Sequence, residues 1–244
     1  MDVINLAHNE KTETKDFSLA FIGTLAYVST FYSFFYTLFL ASGDLRHVLR
    51  TVNGLPSTYS GSLSILLNDL NPAIVCRNVV LLLILGNIPD ESVAADIALH
   101  FWYSAFMPME YRLQLSAIIS KFIQQTKDGK IVIPLGPYST LSCCLPEEAT
   151  YFFLHFISST LTVGHTQEEY DRVRKAPSRR DYRDRMYARL KLSHRVAFQE
   201  YRRFGIVLPF GAINAHFNRP NPSLFSPQGK WLQTDYADPL EGWE

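Results

Sequence analysis

The sequence predicts an α/β fold centred on a parallel sheet, and three observations carry that prediction. Strand, capped helix, apolar strand and second helix follow one another up to about residue 85, which is the βαβ order of a doubly wound sheet. Leu63-Ser64-Ile65-Leu66-Leu67 is a short, nearly continuous apolar run, as expected of a central parallel strand covered on both faces. The chain has 244 residues, of which 47% are hydrophobic and 19% charged, enough apolar material for the core of one large domain spanning residues 1–244.

Taken in order, Phe17–Phe21 reads as a first strand, and Asp44 is placed to cap a helix from Leu45 through Thr51. Asn53-Gly54 should end that helix on a left-handed residue. A polar loop, Pro56 to Gly61, leads into Leu63–Leu67, and Asn68-Asp69-Leu70-Asn71-Pro72 turns the chain. Pro72 suits the first turn of a helix from Ala73 to about Leu85 that is apolar almost all round and should be buried. Pro89-Asp90-Glu91 opens another helix, with acids at its positive end, and Pro108 interrupts it. A further helix runs from Glu110 to about Gln125, and Asp128-Gly129 turns into a strand at Ile131-Val132-Ile133. Residues 146–161 form an apolar helix, and Glu168 to Tyr201 is basic and helical with a break near Pro177. Ile206–Gly211 reads as a strand, and residues 214–244, rich in Pro, Asn and Trp, as a tail draped over the surface. The C-terminal part is therefore expected to be helical and irregular.

Charge excludes some functions. Lys and Arg number 23, as do Asp and Glu, so the whole chain attracts neither nucleic acid nor a membrane surface. Twelve basic residues nevertheless lie between Arg172 and Arg203, while residues 1–110 hold ten acids against five bases. A solvated helix face accounts for the basic run better than a phosphate site does. Cys76, Cys143 and Cys144 provide neither a disulfide framework nor the paired spacing of a zinc site, so free thiols in a reducing compartment, and no bound metal, are expected. Residues 1–16 are polar and acidic, unlike a cleavable signal.

Chemistry is best placed at Ser42-Gly43-Asp44 and, twenty-five residues after Asp44, at Asp69. In a nucleotide-binding α/β fold the first strand ends in a small-residue turn whose following helix holds a polar or anionic group. An acid after the second strand then bonds ribose hydroxyls. The plain alternative is a turn and cap at Gly43-Asp44 and a turn residue at Asp69. Arg46 and His47 occupy the first turn of the capped helix, where they face either an anion or solvent. His100 reads as a core histidine, Asp181 and Asp184 as surface ion-pair partners of nearby arginines, and Cys76 as a buried thiol. No nucleophile elbow, zinc-protease helix or phosphate loop is present.

Several blocks carry a resemblance. They are Ala41-Ser42-Gly43-Asp44-Leu45-Arg46-His47-Val48-Leu49, Leu55-Pro56 through Leu66-Leu67-Asn68-Asp69, Ala73-Ile74-Val75-Cys76-Arg77-Asn78, His100-Phe101-Trp102-Tyr103-Ser104-Ala105, Gly205–Gly211 and Ala237-Asp238-Pro239-Leu240-Glu241-Gly242-Trp243. Together they resemble a fungal family of unknown function, kin to the N-terminal domain of dynein axonemal assembly factor three. The resemblance implies a Rossmann-like, methyltransferase-like fold in which Ser42, Gly43, Asp44 and Asp69 hold S-adenosylmethionine. Many members also carry a MYND-type zinc finger, which this sequence lacks.

Residues 17–43 contain no charge and by length alone would span a membrane. Their Phe, Tyr, Thr and Ser content reads more as strand, and no basic cluster flanks them. In the family the strand resembling Phe17–Phe21 runs straight into the Gly-Asp turn, so residues 22–40 read as an insert. Gly23-Thr24 at its start and Phe, Tyr and Ser near its end fit a retained intron translated in frame, against a genuine buried strand or helix.

Three functions follow as expectations. The first is a non-catalytic interaction or assembly domain in the cytoplasm with a protein or small-molecule partner and no nucleic acid. The second is a methyltransferase acting on a small molecule in fungal secondary metabolism, since methyl transfer can run mainly on positioning. The third is a membrane-anchored protein using residues 17–43.

Overall fold

The structure, a computed structural model, describes residues 16–22, 36–40, 45–69, 71–125, 130–145, 147–208 and 212–232. It is mixed α/β and divides into two compact units, the first running to Asn78 and the second beginning at Val79.

In the first unit β1 (Phe17–Ile22), β2 (Tyr36–Leu40) and β3 (Leu63–Asn68) form a parallel sheet in the order β2-β1-β3. β1 is the central strand. Leu63–Leu67, expected in the centre, lies at an edge among the described residues. Its burial alternates: Leu63, Ile65 and Leu67 are half-buried, while Ser64, Leu66 and Asn68 are exposed, Leu66 to 46%. A strand with one wetted face needs apolar residues only at every second position, so the nearly continuous apolar run overstated its burial. β2 is the end of the uncharged stretch 22–40, with Ser18 opposite Tyr36 and Ile22 opposite Leu40. Residues 23–35 lie outside the described residues.

α1 (Arg46–Asn53) follows β2 and buries Val48 and Thr51 behind Leu45. Leu45 occupies the cap position and has no side-chain acceptor, and Asp44 lies outside the described residues. Gly54, expected to be left-handed, has φ −88° and ψ −1°. Its N–H reaches the carbonyls of Arg50 at 3.0 Å and Thr51 at 3.2 Å, so the helix ends by a continued right-handed turn. α2 (Pro72–Asn87) opens on Pro72, as expected, and Asn71 caps it by accepting the Ala73 N–H at 3.0 Å.

In the second unit, α3 (Glu91–Tyr103) is capped by Asp90, whose carboxylate accepts the Val93 N–H at 3.0 Å. β4 (Phe106–Met107) follows, and Pro108 separates it from α4 (Met109–Gln125). β5 (Lys130–Leu135) and β6 (Ser139–Cys144) form an antiparallel hairpin that turns Cys143 inward and Cys144 outward. Burial pushes the Cys143 thiol up to about 11, which keeps it protonated and unreactive at neutral pH. After α5 (Glu147–Ser158) the basic stretch breaks twice. It gives α6 (Val163–Arg174), a 3-10 turn at Pro177–Arg179, α7 (Arg180–Arg189) and α8 (Leu192–Phe204). Gly205 ends α8 at φ +69°, the left-handed cap.

Two expectations for the C-terminal part change. Ile206–Leu208 is not a strand, and 209–211 lie outside the described residues. The Val207 N–H donates to the Ser104 hydroxyl at 3.0 Å, so a side chain replaces the neighbouring strand a ladder would need. The described part of the tail does not drape over the surface. It forms β7 (Arg219–Pro220), antiparallel to β4, and a 3-10 turn at Pro222–Leu224. Phe217, Leu224, Phe225 and Trp231 join Ala105, Phe106, Tyr170, Val173 and Ile206 in one core cluster. Among the described residues no helix is long and apolar enough to cross a membrane.

Gly86 sets how closely the hairpin approaches α2. A Cβ there would lie 2.7 Å from Leu135 Cδ2, 2.9 Å from Leu135 Cβ and 3.0 Å from Leu135 Cα. Gly86→Ala should therefore destabilise the chain by about 1–3 kcal/mol, overriding the helix-propensity gain of about 1 kcal/mol. Thermal melting checks this. A rise in melting temperature would show that the hairpin retreats without cost.

Candidate functional site

Only one of the four predicted site residues is described. Ser42, Gly43 and Asp44 lie outside the described residues. Asp69 follows β3, as expected, and is half-buried. Its carboxylate accepts the Asn71 N–H at 2.9 Å, the geometry of an Asx turn. The loop that would offer an acid to a ribose thus already uses it to shape the entry to α2. Arg46 and His47 are half-buried in the first turn of α1, where the His47 carbonyl accepts the Thr51 hydroxyl at 2.7 Å.

A second constellation has the residue types of a nucleophilic relay. Asp96, His100 and Ser104 recur at four-residue spacing along α3 and its carboxyl end, so they share a helix face. His100 Nδ1 is 2.9 Å from Ser104 Oγ, and His100 Nε2 is 3.6 Å from an Asp96 oxygen. Ser104 Oγ accepts the Val207 N–H at 3.0 Å and is hydrogen-bonded to His100 Nδ1, so one hydroxyl bridges the helix and the segment after α8. A serine nucleophile must meet a substrate, and Ser104 has 0% exposure while His100 has 3%. The relay is therefore spent on joining α3 to the residues after α8. His100 is the core histidine expected from the sequence.

That arrangement predicts a pH response. Burial pulls the His100 pKa below the ordinary 6.5, the Asp96 carboxylate partly opposes this, and His216 adds to the lowering. A histidine held neutral in the fold contributes stability that is fully present above the unfolded-state value and is lost as pH falls from there through the lower folded-state value. Denaturant midpoints should thus drop on acidification below about 6.5, and more shallowly in His100→Gln. Identical profiles for the two proteins would contradict the assignment. Tyr111 donates a hydrogen bond to Asp96, and burial together with Asp96 pushes its phenol up to about 12.

A cleft of about 810 Å³ opens in the second unit along one face of α5. Tyr151, Leu154, His155 and Ser158 line it at helical spacing, with Tyr151 69% and Leu154 46% exposed. The links Ser159–Thr162 and Pro227–Gly229 form its sides. His165 Nε2 lies 2.8 Å from the Gly229 carbonyl, and Gly229, at φ +79°, has no room for a Cβ beside that ring. Burial is the largest influence on His155 and lowers its pKa, against the raising effect of the Pro222 and Phe225 carbonyls. No lining side chain carries a formal charge when the histidines are neutral. Among the described residues no group of three or more His, Cys, Asp or Glu is arranged to hold a metal ion.

Residues 1–107 match a family described as a domain of unknown function (DUF4470). No curated protein and no solved structure is significantly similar to the chain. The matched stretch covers the parallel sheet, the first three helices and the Asp96–His100–Ser104 line. The cleft on α5 lies beyond it. Sequence reasoning missed that cleft because Tyr151, Leu154 and His155 sit inside an apolar helix that reads as core. The available signal was the run Ser158-Ser159-Thr160, a polar interruption where α5 stops.

Proposed function

We propose that this chain is a non-catalytic interaction or assembly domain built on a methyltransferase-like scaffold. The observation that carries the reading is the commitment of its most chemically suggestive side chains to the scaffold. Ser104 Oγ is fully buried between His100 and the Val207 N–H, and the Asp69 carboxylate shapes a turn. The exposed apolar side chains Tyr151 and Leu154 beside the α5 cleft supply a contact surface for a partner. On this reading the partner is a protein, the setting is the cytoplasm, and the kinship is with the fungal relatives of the dynein assembly factor's N-terminal domain. The Rossmann-like character rests on the parallel β2-β1-β3 order together with the family resemblance.

One observation favours the methyltransferase alternative. β2 runs parallel to its neighbour β1 and leads through residues 41–44 to α1, the position where such enzymes hold S-adenosylmethionine. Calorimetric titration of the chain with S-adenosylmethionine and S-adenosylhomocysteine separates the two. The interaction reading expects no saturable heat, and saturable binding overturns it in favour of the enzyme.

A further inference from the structure

We propose that Ser178 is a phosphorylation site for a serine kinase directed by basic residues. Ser178 is the middle residue of the 3-10 turn Pro177–Arg179, which joins α6 to α7. It is exposed, as are Pro177 before it and Arg180 after it. The turn is held by the Arg180 N–H reaching the Pro177 carbonyl. A kinase cleft takes its substrate as an extended segment, so the cost of presenting a serine is the cost of opening its local structure. The turn runs directly into Arg180, the first residue of α7, so presenting Ser178 opens the turn and that helix end and leaves the body of α7 in place.

The flanking charges fit the same chemistry. Lys175 stands three residues before Ser178, and Arg179 and Arg180 stand one and two after it. The Lys175 side chain is 48% exposed beside Asp171, and the Arg180 side chain is 78% exposed, with its guanidinium 4.0 Å from Asp184. Both partners are surface carboxylates whose hold on an exposed cation is weak. Arg174, one residue further upstream, is buried and its carbonyl accepts the Arg202 guanidinium at 2.8 Å, so it anchors the segment and stays out of recognition. Ser193 offers a comparison. It too is exposed and lies between Lys191 and Arg195, but it sits in the first turn of α8.

The step transfers the γ-phosphoryl group of ATP to Ser178 Oγ, with loss of the hydroxyl proton and release of ADP. Between Arg179 and Lys191 there are six basic and two acidic residues, so the product is a dianion set into a cationic stretch. Phosphorylation would then cut the positive charge of this surface and change which partners it attracts.

The test incubates the full chain with ATP and the catalytic domain of a protein kinase C-type enzyme and maps phosphosites by mass spectrometry. A single phosphate at Ser178 is expected. It should be lost in Ser178→Ala and retained in Ser193→Ala, with Lys175→Ala and Arg180→Ala each slowing its formation by roughly three- to tenfold. Two results would overturn the proposal. One is phosphate incorporation undiminished in Ser178→Ala. The other is rapid phosphorylation of a peptide spanning residues 172–184 with none at Ser178 in the folded chain, which would show the turn closed to the enzyme.

Discussion

Asn221→Ala is expected to cost about 3–5 kcal/mol of folding stability. Asn221 is fully buried, and its amide nitrogen lies 2.8 Å from the carbonyls of both Phe101 and Ser104 and 3.2 Å from that of His100. These are carbonyls at the end of α3, where helical partners run out. Its side-chain oxygen accepts the Ser223 N–H at 3.1 Å and the Ser223 hydroxyl at 2.8 Å. One side chain thus serves a helix terminus and the turn that covers it. Alanine would leave several buried polar groups unpaired at about 1–3 kcal/mol each, softened by whatever water enters. Asn221→Asp, which keeps the shape but replaces the donor with a buried acceptor facing carbonyls, should be at least as damaging. Chemical denaturation measures both. A loss below about 1 kcal/mol for either would show that the α3 terminus is not held this way.

Trp231→Ala should be comparably severe, at about 3–5 kcal/mol. Trp231 is 4% exposed and packs edge-on against Tyr170 at 5.7 Å and Phe225 at 5.2 Å between ring centres. The Arg174 guanidinium stands 5.8 Å from the same ring. Tyr170 donates in turn to the Tyr201 carbonyl at 2.6 Å, which ties α6 to α8. Trp231→Phe keeps part of the edge contacts and should lose about half as much. If Trp231→Ala unfolds at the wild-type denaturant concentration, the segment after β7 contributes nothing to the core, contrary to the packing described.

These two residues also show where sequence reading stops. Asn221 and Trp231 lie in a stretch of Pro, Asn and Gly that has no periodicity, and periodicity is what marks a buried element in a sequence. The segment is buried irregularly, with Asn221 supplying hydrogen bonds that a helix or strand would make for itself. Elements with their own punctuation were legible. Asp90 before Glu91 placed the start of α3, and Pro108 placed the gap before α4. Leu63–Leu67 was legible as a parallel strand but not as an edge, because an apolar run fixes element type better than neighbour count. Ile206–Leu208 has strand composition, yet a serine hydroxyl takes its N–H. Asp69 was found at the end of a strand from pattern alone, whereas its Asx turn depends on the rotamer that faces Asn71.

The reading of this chain as an interaction domain is tested most directly by parallel calorimetric titrations of wild type and Asp69→Ala with S-adenosylmethionine. The account predicts no saturable binding by either protein up to about millimolar ligand, where binding free energy is only about −4 kcal/mol. Micromolar binding by wild type, weakened by about 1–3 kcal/mol in Asp69→Ala, would contradict it and make this acid a ribose ligand in a working methyltransferase site.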